Sequence, residues 1–234
     1  MSFDEWCLMH GPSDDVVFRL WRNRPSVIIG TSQNPYTEVN LPYLEEHGIS
    51  LVRRSTGGGA VYHDLQNLNY SFAGPLSLLS DKRGSEHPLP VHLIAEALCG
   101  FGVQAEVSGR NDIFVDGHKV SGYAKRVWKD RTLIHGTLMY DVDIDTLTHV
   151  LDTPESKLHR KGVASVRSRV TNLKDLLPQF RSLDALEAAL LEHFAAGDPS
   201  LEFSDEQEKE VRTILEERYA RKDWIFGSWT PATD

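Results

Sequence analysis

Asp116-Gly117, set between Asp112-Ile113-Phe114-Val115 and His118-Lys119-Val120-Ser121, constrains this chain more tightly than any other stretch. A two-residue Asp-Gly connection selects a type I′ hairpin, in which both central residues take positive φ. The register follows, with Val115 opposite His118 and Phe114 opposite Lys119. Alternation then places Asp112, Phe114, Lys119 and Ser121 on one face, with Asp112 and Lys119 a diagonal pair about 7–8 Å apart at Cα. Ile113, Val115 and Val120 point the other way, into a core. A lysine on a solvated hairpin is the ordinary alternative, and the sequence on either side must decide.

A second constraint lies upstream in Arg53-Arg54-Ser55-Thr56-Gly57-Gly58-Gly59-Ala60-Val61-Tyr62-His63-Asp64, entered from Ile49-Ser50-Leu51-Val52. Three consecutive glycines leave no Cβ wall, so backbone N–H groups can approach a ligand closely. Two arginines at the mouth point to an anion. Taken alone, a glycine run is most often a flexible turn.

The remaining chain reads as alternating strands and helices. Ser2 and Glu5 have capping-box spacing for a first helix ending near Gly11-Pro12. Residues 16–21 and 26–30 read as strands joined by Asn23-Arg24-Pro25, 41–47 as a helix stopped by Gly48, 74–90 as a surface loop and 91–101 as a helix. A strand over 103–107 precedes the hairpin. Residues 132–142 make a strand carrying His135-Gly136-Thr137, and 143–151 a helix. The basic stretch 153–169 reads as a loop able to close over an anionic ligand, and helices are expected at 172–177, 182–195 and 204–222.

With 234 residues, 40% hydrophobic and 25% charged, one main globular domain is expected. A formal charge of -9 argues against a nucleic-acid coat. Cys7 and Cys99 have no metal-ligand spacing, and no secretory segment or long apolar run appears, so a cytoplasmic location without membrane attachment is expected.

The glycine loop with Asn67-Leu68-Asn69 after it resembles the signature of the lipoate–protein ligase A family. Further blocks match in order: Ser108-Gly109-Arg110-Asn111-Asp112, Gly117-His118-Lys119-Val120-Ser121-Gly122-Tyr123-Ala124, His135-Gly136-Thr137-Leu138, and the run from Lys161 to Leu173. Gln66 departs from the family's usual glycine. These matches outweigh the solvated-lysine alternative at Lys119.

The resemblance implies an α+β domain of mixed and antiparallel sheets flanked by helices, of the class II biotin/lipoyl synthetase kind, over residues 1–234. It implies ATP-dependent activation of lipoate to lipoyl-AMP, with Mg²⁺, and transfer to a lysine of lipoyl-domain proteins of the E2 or glycine-cleavage H type. By the same resemblance Lys119 and Asp112 are catalytic, with Asp112 also the metal ligand. Arg54, Gly59, Ala60, Val61, Tyr62 and Lys119 take the nucleotide. Arg53, Gly57, Gly58, His63, Lys119, Ser121, Gly122 and His135 take lipoate, and Asn111, Arg126 and Thr137 are weaker candidates. His135 reads equally as a structural histidine.

Compared with the family, a leading strand and a C-terminal accessory domain are expected to be absent, so the expectation is either a separately encoded accessory subunit or a narrower task such as transfer from preformed lipoyl-AMP. The alternatives are an octanoyl or lipoyl transferase working through a cysteine thioester, and a non-catalytic acyl-binding subunit; the positions of Cys7 and Cys99 argue against the first, and an intact Lys119 and glycine loop against the second.

Overall fold

The computed structural model of the chain describes residues 1–81, 84–151 and 170–230. Two sheets organise it. The larger has six strands in the order β1 (Val17–Trp21), β5 (Asn67–Pro75), β9 (Arg131–Met139), β8 (His118–Trp128), β7 (Asp112–Val115) and β6 (Ala105–Ser108), every neighbouring pair antiparallel. In the smaller, β2 (Ser26–Ile29) lies between β3 (Ser50–Arg53), parallel to it, and β4 (Val61–His63), antiparallel. The strands over 16–21 and 26–30 therefore enter different sheets.

β5 shows how the sequence builds this architecture. Leu68, Tyr70 and Phe72 alternate with Asn67, Asn69 and Ser71, and both sets are buried. The apolar set packs under α5 (Leu89–Gly100) and a later helix, Leu183–Ala195, with Val91, Ile94, Leu98, Leu186 and Leu190 in the same cluster. Each such side chain contributes roughly 1.5–3 kcal/mol when fully buried. The polar set faces α1 (Ser2–His10), where Ser71 Oγ donates to Asp4 Oδ1 at 3.2 Å. A second cluster joins Val27 and Ile29 of β2 to Leu44 of Leu41–Glu46 and Leu147 of Ile144–Val150.

The hairpin forms as its turn dictates, with φ of 51° at Asp116 and 74° at Gly117, and with Val115 opposite His118 and Phe114 opposite Lys119. Beyond that point a bulge intervenes. Ile113 pairs with Ser121 and Asp112 with Gly122, so Val120 is the extra residue. Ser121 is thereby moved off the Lys119 face and is fully buried, its Oγ 3.5 Å from Tyr70 Oη. Gly122 takes the position beside Asp112.

Other expectations are corrected. The first helix has no side-chain cap, because Glu5 is 1% exposed and its carboxylate is paired with Arg126, Arg218 and Tyr219. Residues 74–90 are not all loop, since β5 reaches Pro75 and a short helix, Leu76–Leu79, follows. Residues 172–177 make a turn, stabilised by Leu177 N–H on Leu173 O at 2.8 Å, in place of a regular helix. The charged helix divides into Asp205–Ile214, a π-helical turn Leu215–Tyr219, and Lys222–Phe226. The expected basic loop over 153–169 lies outside the described residues.

Candidate active site

A cavity opens between the two sheets. Its floor is a row of side chains crossing the large sheet, in which Trp21 pairs with Asn69, and Asn69 with Thr137. Gly122 continues the row, donating its N–H to Thr137 Oγ1 at 3.3 Å. The opposite wall is Ile28, Arg54, Gly59, Ala60, Val61 and His63, with Asn111, Lys119, Tyr123, Ala124, His135, Gly136 and Met1 completing the lining.

Lys119 stands at one end, its Nζ 2.7 Å from Asp112 Oδ1. A Cβ placed on Gly122 would fall 3.0 Å from that Nζ and 3.5 Å from Asp112 Oδ1, so the ammonium lies directly over a glycine. The Lys119 carbonyl accepts from Thr171 N–H at 3.0 Å, which ties the strand to the segment resuming at Val170. Asn111 donates through Nδ2 to Tyr123 O at 3.0 Å, holding the turn before Asp112.

Of the two arginines, Arg54 lines the cavity with its guanidinium engaged by backbone, and Arg53 lies outside the lining. Arg54 donates to the carbonyls of Ile28, Gly57 and Gly59 and to Thr56 Oγ1, at 2.7 to 3.2 Å. Burial lowers its pKa to about 10. Arg53, 3% exposed, donates to the carbonyls of Gly30, Thr31, Gln33, Trp224 and Ile225 and takes no part in the wall. Both hold backbone in shape. A guanidinium with five N–H donors suits a loop whose carbonyls would otherwise go unpaired.

Gly57 and Gly58 are exposed and stand outside the wall, whereas Gly59 belongs to it. Gly30 was missed from sequence: a Cβ there would come within 2.2 Å of Gly58 O, so the end of β2 must be glycine for the loop to cross it. Tyr62 packs into the second core cluster, leaving its side chain out of the cavity. Arg126 is bound to Glu5 at 2.9 Å and is also outside, as is Ser121. Trp21, Ile28, Asn69, Tyr123, Ala124 and Gly136 line the cavity without having been anticipated; the Asn67-Leu68-Asn69 alternation was the available signal for Asn69.

His135 braces the loop. Thr56 Oγ1 accepts from Arg54 Nε at 3.0 Å and is hydrogen-bonded to His135 Nε2 at 2.7 Å. The other ring nitrogen lies 3.8 Å from Asp4 Oδ2. Burial lowers the His135 pKa, opposed by Asp4. Asp4 itself is desolvated, yet the Met1 ammonium, His135 and Arg19 hold it well below the usual carboxylate range. His63 is pushed down to about 3 by burial and is therefore neutral.

Among the described residues no group of three His, Cys, Asp or Glu side chains could hold a metal ion. Mg²⁺ arriving on a polyphosphate needs only one or two carboxylates. Asp112 is the carboxylate beside Lys119, its Oδ1 engaged by that ammonium at 2.7 Å, and it is not itself among the lining residues. Neither cysteine lines the cavity: Cys7 is buried, its thiol pushed up to about 12 by burial, and Cys99 is exposed on α5.

The family model described as the lipoyl protein ligase A/B catalytic domain matches residues 1–195. The chain is 39% identical over 234 residues to the lipoate-protein ligase LplJ of Bacillus subtilis, covering 97% of this chain and 69% of that protein. It is 39% identical over 240 residues to a lipoate-protein ligase A of Bdellovibrio bacteriovorus, covering 97% and 68%. A bi-partite lipoate protein ligase from Thermoplasma acidophilum, solved in a study with its E2 lipoyl domain, superposes with a TM-score of 0.81 at 28% identity over 100% of this chain and 92% of that one. A lipoate-protein ligase A bound with ATP gives 0.78 at 28% identity, covering 97% and 92%. The α+β architecture expected from the sequence is the architecture of these proteins, and the chain belongs to the lipoyl protein ligase A/B catalytic domain family.

Proposed function

We propose that the chain is a lipoate–protein ligase, activating lipoate with ATP and passing the lipoyl group to a lysine of a lipoyl-domain protein. The observation that carries this is Lys119, whose ammonium is held at the cavity end by Asp112 and laid over Gly122.

Attack of the lipoate carboxylate on the α-phosphorus of ATP forms an acyl–phosphate bond and expels pyrophosphate. Negative charge develops on the phosphoryl oxygens in that step. A compact ammonium can serve the acyl oxygen and an α-phosphate oxygen together. On this reading Gly59, Ala60 and Val61 take the nucleotide, and the floor from Thr137 to Trp21 the acyl chain. Asp112 would hold Mg²⁺, which supplies charge neutralisation at the phosphates. In the second step an acceptor lysine amine attacks the acyl carbon and AMP leaves, the same Lys119 standing beside the carbonyl oxygen. A lipoyl domain of the E2 or H type is the acceptor this reading names.

A thioester route needs a thiolate beside the acyl carbon. Cys7 is buried with a raised pKa and Cys99 lies on another face, so neither supports it.

Lipoate-dependent exchange of labelled pyrophosphate into ATP by the purified chain, followed by a lipoyl mass increment on an acceptor lipoyl domain, is the direct test. Absence of exchange overturns the reading. Run without a second protein, the same assay judges the expected accessory subunit: lipoylation from free lipoate and ATP removes the requirement.

A further inference from the structure

His63 has a ring nitrogen that the scheme above leaves unused. The side chain is 4% exposed and forms part of the cavity wall. Its Nδ1 lies 2.9 Å from Asn23 Nδ2. An amide NH₂ can only donate, so Nδ1 accepts and the proton of the neutral ring sits on Nε2. That Nε2 has no hydrogen-bond partner among the described residues. A buried N–H without an acceptor is unfavourable, which makes it an element awaiting a ligand.

The floor of the cavity fixes where this donor stands. Trp21, Asn69, Thr137 and Gly122 lie on four adjacent strands. Three strand spacings make about 14 Å. Lys119 lies over Gly122 at one end. At the other, Asn23, two residues beyond Trp21, anchors His63. A carboxyl held at Lys119 sends a staggered eight-carbon chain roughly 9 Å along this row, toward His63. In lipoate the far part of that chain carries the two dithiolane sulfurs; in octanoate it ends in a methyl group.

The geometry points to His63 as the residue that distinguishes lipoate from octanoate, its Nε2–H donating to a dithiolane sulfur at the inner end of the acyl site. Sulfur is a weak acceptor, but a methyl is none, and a buried donor facing a methyl stays unpaired. Sites built around such a donor reject the analogue that lacks the acceptor. This inference rests on the ligase reading for its substrate.

The test compares kcat/KM for lipoate and octanoate in pyrophosphate exchange, in the wild type and in His63→Phe, alongside calorimetric Kd values for each acid without ATP. The wild type is expected to favour lipoate about tenfold, and His63→Phe to lose most of that ratio. Equal losses on both acids, or no wild-type preference, overturn the inference. Should His63→Phe fold poorly, ¹⁵N-histidine NMR of the wild type decides: the Nε2–H tautomer with a shift caused by lipoate but not octanoate supports it, and the other tautomer or equal shifts overturn it. Loss of the ligase reading would show separately, as no exchange with either acid; the binding preference still judges His63, and binding of neither acid overturns it.

Discussion

Lys119 Nζ lies 2.7 Å from Asp112 Oδ1, and both stand over a glycine, Gly122, that the bulge at Val120 brings onto their face. The pair is partly exposed, with side chains 30% and 24% accessible, so it orients the ammonium more than it stabilises the fold. Lys119→Ala should therefore leave the unfolding midpoint nearly unchanged and reduce lipoate-dependent pyrophosphate exchange by about three orders of magnitude or more. Lys119→Arg should not restore it, because a planar fork cannot occupy the place of a point charge over Gly122. Near wild-type exchange in either variant would remove Lys119 from the chemistry.

Gly122→Ala tests the same arrangement from below. The added Cβ meets the flexible end of Lys119 and no backbone, so the protein folds and the ammonium is displaced. Exchange should fall about tenfold to a hundredfold while thermal unfolding shifts by only a few degrees. A variant as active as wild type would show that the ammonium is not held where the geometry puts it.

Arg54→Lys should act on stability first. It strips donors from the carbonyls of Ile28, Gly57 and Gly59, and the buried one, at Ile28, left unpaired costs about 1–3 kcal/mol before relaxation. Chemical denaturation should show a loss of that order, and KM for ATP should rise more than kcat falls. Unchanged stability would contradict the bracing role.

The combined variant Cys7→Ala, Cys99→Ser should still lipoylate an acceptor domain, and intact-mass analysis of the wild type turning over should show no acyl thioester. Loss of transfer together with a thioester on either cysteine would replace the ligase by a transferase.

Acid sensitivity should begin near neutrality. His63 is held neutral in the folded protein, its pKa down at about 3, and His135 is lowered as well, both chiefly by burial. Unfolded histidines titrate near 6.5, so below that pH the unfolded chain binds more protons and stability falls with pH, by up to about 1.4 kcal/mol per pH unit for each group. Asp4, whose pKa is depressed, adds its own loss only at much lower pH. Urea midpoints measured from pH 7.5 to 5 should decline, and His63→Phe should flatten the slope by one group's share. A pH-independent midpoint over that range would show that His63 is not a buried neutral ring.

The Asp116-Gly117 turn is legible in sequence because its dihedral demands are local, and the Phe114–Lys119 pairing follows from it. What happens three residues later is not, because the bulge answers to packing: Ser121 finds Tyr70 in the core, and that contact is set by β5, far away in the chain. The second role of the arginines is hidden for a related reason. Adjacent to glycines they read as anion ligands, and only the folded loop reveals how many carbonyls it turns toward them. Glu5 likewise has the spacing of a cap, and loses that role to partners more than a hundred residues away.

The commitment of Arg54 to Gly57 and Gly59 sets the polarity of the loop. In a trans peptide the carbonyl and the following N–H point in opposite directions. Turning the Gly57 and Gly59 oxygens toward a buried guanidinium therefore turns the Gly58 and Ala60 N–H groups away from it. The loop becomes a row of aligned peptide dipoles with the positive ends outward, fixed before any ligand arrives. Attraction for an anion then resides in the main chain and needs no side chain to be ordered on binding, with the arginine acting from behind to keep the dipoles aligned.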